Sequence, residues 1–170
     1  MLGKIVLQPT KVILPIDPAI RENTEAQYEA YRAAGYDESV LKIDPLNPPT
    51  RFLLRQLTDE QRDGCTMMSS QSIMRGVSMR IRCGMVGMDN YKIRKADGTV
   101  VDAGKPDTEN AGVMGTIITE KWLSDLSMPD AHKIALANEI REFSEATLPL
   151  SVPSGPPSGD SADTGKESAP

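Results

Sequence analysis

Apolar residues recur at helical spacing through the middle of the chain. Met67, Met74, Val77, Ile81, Met85 and Met88 fall seven, three, four, four and three apart, which lines them along one face of a helix. Gln71, Arg75, Ser78 and Arg82 mark the opposite, polar face. Just upstream, Phe52, Leu54 and Leu57 are interleaved with Arg51, Arg55 and Gln56 and read as a short strand. Between the two lies Thr58-Asp59-Glu60-Gln61, a capping box in which the hydroxyl and the amide can satisfy orphan N–H groups reciprocally. The pattern predicts one long Met-rich helix from about Asp59 to Cys83. It should break at Gly84 or Gly87, since each glycine inside a helix costs roughly 1 kcal/mol against alanine.

Upstream of this stretch, Ile5-Val6-Leu7 and Val12-Ile13-Leu14 are short apolar runs split by Pro9 and Thr10, which predicts a small hairpin or an edge strand over Lys4 to Ile16. Asp17-Pro18 has the form of a helix start. Thr24-Glu25-Ala26-Gln27 is a second capping box and Gly35 suits a helix end, giving a helix of roughly three turns with Tyr28 and Tyr31 on one side. Tyr36 to Thr50, with its closely spaced prolines, reads as a loop and linker.

Downstream, Asp97-Gly98 between Tyr91–Arg94 and Thr99–Val101 is a hairpin signal of the type I′ kind. Ala103 to Gly115 has little bulk and reads as an exposed, mobile loop. Thr119 opens a short helix carrying Trp122, a core anchor expected to pack with Leu126. Ser127-Met128-Pro129-Asp130 opens a closing helix with Leu136, Ile140 and Phe143 inward and Glu139, Arg141, Glu142 and Glu145 outward. From Pro149 onward only Pro, Ser, Gly, Asp and Ala dominate, a composition that stays disordered when alone.

The expected fold is therefore α+β and predominantly α-helical, with small N-terminal and central β-hairpins. Residues 1–48 form an N-terminal hairpin, helix and linker; 49–148 form a central helical unit; 149–170 form a tail.

Composition narrows the function. A formal net charge of −5 argues against a nucleic-acid face. No run approaches the ~20 apolar residues of a membrane span, and MLGKIVLQP lacks a signal-peptide core, so a soluble cytosolic protein is expected. With two Phe and one Trp the core has few large anchors, and help from a partner or an oligomer is expected. On one straight helix, Cys65 and Cys83 would stand about 27 Å apart and could not bridge.

Catalytic chemistry finds no foothold in this pattern. His132 is the sole histidine and reads as a surface residue. With Cys65 and Cys83 it has no zinc-ligand spacing, and Ser69, Ser70 and Ser72 lack a nucleophile elbow. Neither catalytic residues, nor metal ligands, nor a cofactor are expected. The methionines admit two readings: gap-filling core residues, or an adaptable partner-binding groove.

RFLLRQLTDEQRD, RIRCGMVGMDNY followed by DGTVVD, and ITEKWLSDLSMPDAHKIALANEIREFSE occur in that order. Together, over about Pro49 to Ala146, they resemble the tail assembly chaperones of long-tailed bacteriophages. The resemblance implies a non-enzymatic, mostly helical, oligomerising protein of the host cytoplasm. Such a protein binds the tape-measure protein and the tail-tube protein and is absent from the finished particle. On that reading Met67, Met74, Val77, Ile81 and Met85 would cover a client helix, with Tyr28 and Tyr31 as the second choice of surface. The alternative expectation is a virion component such as a head–tail adaptor or another minor tail protein.

Overall fold

The computed structural model describes residues 9–110 and 112–146. It is an α+β fold of five α-helices and small antiparallel sheets among the described residues. The expected tail at 149–170 and the run Ile5-Val6-Leu7 lie outside them.

A three-stranded sheet organises the core, with β1 (Thr10–Val12), β4 (Arg51–Leu54) and β5 (Met85–Asp89) in the order β1-β4-β5. The edge strand expected near the N-terminus is β1, paired antiparallel with β4 so that Val12 faces Phe52. Strand β4 forms where alternation predicted it. The helix ends at Gly84, one of the two expected break points, and the correction lies beyond it: Met85 and Met88, which spacing sets on the helical stripe, belong to strand β5. There β5 pairs with β4, placing Met88 opposite Phe52 and Met85 opposite Leu54 across a bulge. A single strand pair would have left the second edge of β4 unpaired in the interior, and β5 supplies those hydrogen bonds.

The long central helix is also corrected. It is two helices, α2 (Asp59–Gln71) and α3 (Ile73–Gly84), separated by Ser72 in extended conformation (φ −157°, ψ 124°). The capping box at Thr58 is complete in both directions. The break falls at the end of a polar run, Ser69-Ser70-Gln71-Ser72. In that run the Ser69 and Ser70 hydroxyls already bond to the carbonyls of Cys65 and Met67, competing with helix continuation. Helix α3 then packs back on α2. Gly76 makes this possible, because a Cβ there would lie 2.8 Å from the Ser69 Cβ and 3.0 Å from the Cys65 carbonyl oxygen.

Folding back overturns the expected separation of the cysteines. Both are fully buried, and their thiols neighbour one another across the α2–α3 contact. The neighbouring thiol lowers the Cys65 pKa and raises that of Cys83, whose burial raises it further.

The N-terminal helix α1 (Glu25–Ala33) begins at Thr24, whose hydroxyl accepts from the Gln27 amide. It ends in a Schellman arrangement: Gly35 has φ +69°, its N–H reaches the Arg32 carbonyl, and the Tyr36 N–H reaches that of Tyr31. Asp17-Pro18 does not start a helix. The Asp17 carboxylate instead accepts from the amides of Ala19 and Thr50, shaping a turn. That turn leads into a two-stranded sheet of β2 (Ile20–Arg21) and β3 (Lys42–Ile43), too short to leave a periodic trace in the sequence.

The Asp97-Gly98 hairpin is present as β6 (Lys92–Arg94) and β7 (Val100–Asp102). Its turn differs from type I′, since Gly98 has φ +86° while Asp97 stays out of the left-handed region. The Asp97 carboxylate accepts from the Thr99 amide and hydroxyl, which holds a longer loop.

Closing the domain, α4 (Glu120–Asp125) is capped by the Thr119 hydroxyl, and α5 (Asp130–Ala146) buries Leu136, Ile140 and Phe143. Trp122 is half-buried against the core and Leu126 is buried. Helix α5 meets α3 closely at Gly84, where a side chain would run into Ile140. Residues from both sides of position 48 share one core: Val12, Ile13, Tyr31 and Tyr36 pack with Phe52, Leu54, Ile140 and Phe143.

Candidate functional site

The expected Met stripe does not remain one surface. Met67 is 70% exposed and Met74 half-buried, whereas Val77, Ile81 and Met85 lie in the core. The break at Ser72 rotates the two helices so that α3 buries its apolar face and α2 leaves Met67 outside. Tyr28 and Tyr31 are buried as well, with a structural role. The Tyr28 hydroxyl donates to the Ile13 carbonyl at 2.7 Å, and the Ile13 amide donates to the Tyr31 hydroxyl at 3.0 Å. The two phenols thus satisfy both backbone groups of a residue just beyond the edge strand. Neither tyrosine offers a free face to a partner.

Besides Ile16, Leu46, Val100 and Ile134 elsewhere in the chain, the fold exposes apolar side chains at α3 and at the loop beside α2. Ile73 is 72% exposed at the start of α3, close to Met67 in sequence across the break. Val113 is 70% exposed and adjoins Met114, whose side chain lies against Gly64 on α2, one turn before Met67. Ile73 and Val113 escape sequence reasoning because neither belongs to a periodic run. The polar stretch before Ile73 was the available signal.

The loop that carries Val113 is anchored, contrary to the mobile loop expected. Arg82, read as part of the polar face, is buried; its guanidinium bonds the Ile118 carbonyl at 2.8 Å and the Glu109 carboxylate at 3.0 Å. Arg55 holds the carbonyls of Cys83 and Gly115, both at 2.7 Å. The Gln61 amide reaches the carbonyls of Met114 and Gly115. Thr108 and Ile118 form an antiparallel bridge across the base of the loop. Three polar side chains on the central unit therefore set the position of the loop tip.

A cleft of about 560 Å³ opens between β6, the Asp17 turn and the start of α5, with Tyr91, Arg94 and His132 on its walls. His132, expected at the surface, is half-buried here. Its Nδ1 lies 3.5 Å from the Tyr91 hydroxyl and the rings meet edge to face. Burial raises the Tyr91 pKa. The carboxylate lining the cleft, Asp17, already accepts from two backbone amides. Among the described residues no group of three or more His, Cys, Asp or Glu side chains is arranged to hold a metal ion, and no helix is long and apolar enough to cross a membrane.

No protein-family model matches this chain, and neither a curated protein nor a solved structure matches it.

Proposed function

We propose that this protein is a non-enzymatic tail assembly chaperone of a long-tailed bacteriophage. It acts in the host cytoplasm as a homo-oligomer, binding the tape-measure protein and bringing tail-tube protein to it. The observation that carries the reading is the exposure of Met67, Ile73 and Val113, each 70% or more exposed, on or beside the α2–α3 unit; the other exposed large apolar side chains, Ile16, Leu46, Val100 and Ile134, lie elsewhere in the chain. Exposed apolar groups on α2, α3 and the loop held against α2 suit a client made of long amphipathic helix. Methionine adapts to varied client side chains without a fixed shape requirement.

The test is co-expression with the tape-measure protein, followed by size exclusion with light scattering. The expected result is a soluble complex with many copies of this chain per client, the client being insoluble when made alone. Replacing Met67, Ile73 and Val113 with glutamine should abolish that rescue while leaving the unfolding midpoint unchanged. A client that stays insoluble with the native chain present overturns the proposal. Mass spectrometry of purified particles addresses the alternative, since a retained virion component would be found there and a chaperone would not.

A further inference from the structure

The outer face of the three-stranded sheet carries a second, differently built surface. Strand register assigns the rows. Val12, Phe52 and Met88 lie side by side, with Val12 and Phe52 buried. The neighbouring rows, Lys11–Leu53–Gly87 and Arg51–Asp89, project the other way, toward solvent. Leu53 is only half-buried because its neighbour on β5 has no side chain. A Cβ built at Gly87 would meet nothing nearer than Leu53, at 3.9 Å. Lys105, Pro106 and Thr108 wall the far side, leaving an open groove of about 460 Å³.

The groove floor is Leu53, the Gly87 backbone and Val86, and its rim sets three cations, Lys11, Arg51 and Lys105, against one carboxylate, Asp89 beside Arg51. Arg51 is engaged by the Glu38 carboxylate at 2.7 Å and faces Asp89 in register. Lys11 and Lys105 form no ion pair among the described residues. A chain of formal net charge −5 thus sets two uncommitted cations around an apolar slot.

We infer that this groove docks an acidic segment of a partner protein, which places an apolar side chain over Leu53 and Gly87 and its carboxylates at Lys11 and Lys105. The charge of the rim selects against basic segments, and the apolar floor selects against purely polar ones. The surface is separate from Met67, Ile73 and Val113, so it stands whether or not those residues hold a tape-measure helix.

Fluorescence anisotropy with labelled synthetic peptides tests this. The probe is a short peptide of alternating leucine and glutamate; the comparisons alternate leucine with lysine, and serine with glutamate. Saturable binding of the leucine–glutamate peptide alone is expected. Gly87→Leu fills the slot from a backbone position with room for a side chain, so it should weaken binding about tenfold or more with an unchanged unfolding midpoint. The pair Lys11→Glu and Lys105→Glu, both at exposed positions, should reverse the preference toward the leucine–lysine peptide. Absence of saturable binding to the native chain, or equal binding by Gly87→Leu, overturns the inference. Conversion of an oligomer to a monomer by Gly87→Leu would also overturn it, by assigning the groove to a second copy of this chain.

Discussion

Arg32 on α1 grips Glu139 on α5 through two hydrogen bonds, of 3.0 and 2.8 Å, across 107 positions of sequence. Glu139 is 1% exposed, although helical phase put it on the polar face of α5. A third hydrogen bond comes from the Tyr36 hydroxyl, which donates to Oε1 at 2.9 Å. Tyr36 in turn packs edge-on against Tyr31 and Phe143, which fixes the phenol that donates to the buried carboxylate.

Removing one partner of such a pair strands a charge in the interior, which costs about 3–5 kcal/mol. Arg32→Ala should therefore lower stability by about 3 kcal/mol, somewhat below the full figure for a completely enclosed pair because Arg32 is a quarter exposed. Glu139→Gln keeps the shape and part of the hydrogen bonding and should cost less. Urea unfolding checks both, and a loss under about 0.5 kcal/mol for Arg32→Ala would show that Glu139 is not enclosed as described.

Gly76 gives a test whose sign separates a folded-back hairpin from a continuous helix. In a free helix, Gly76→Ala should stabilise by about 1 kcal/mol. Here the added methyl meets Ser69 and the Cys65 carbonyl, so the substitution should destabilise by about 1–3 kcal/mol as α2 and α3 are pushed apart. A stabilised variant in chemical denaturation would mean that the two helices do not pack in this way.

The four tyrosines predict alkaline behaviour. Burial raises the pKa of Tyr28, Tyr31, Tyr36 and Tyr91, and that of Tyr31 is pushed up to about 12. Because folding favours the neutral phenol, the stabilisation is fully present below the unfolded value of about 10 and is lost as pH rises through the folded values. For Tyr31 that window runs from about pH 10 to about 12. Near-ultraviolet tyrosinate absorbance should rise only as circular dichroism is lost. Phenolates appearing near pH 10 in a still-native chain would contradict the burial.

The adjoining thiols of Cys65 and Cys83 should resist labelling by an aromatic disulfide reagent until the α2–α3 contact opens. Labelling rates across a urea series should then follow global unfolding, with native protection of about a hundredfold or more. Rapid labelling of Cys65 in the native protein would place it outside the core.

The chain by itself determined the features that depend on neighbours within a few residues. The caps at Thr24, Thr58 and Thr119 form as hydroxyl-to-amide bonds three residues long, and each starts a helix where the sequence predicts one. The strand at Arg51, the hairpin around Gly98 and the inward stripe of Leu136, Ile140 and Phe143 were legible for the same reason. The tertiary structure decided whatever needed a distant partner. A one-residue break at Ser72 leaves apolar spacing almost intact, so periodicity could not show that the stripe divides between core and surface. Burial of Glu139 and Arg82 depended on counter-charges and carbonyls that arrive from other elements. The encounter of Cys65 with Cys83 followed from α3 folding back after Ser72 and packing on α2 at Gly76, a close approach that no local signal encodes.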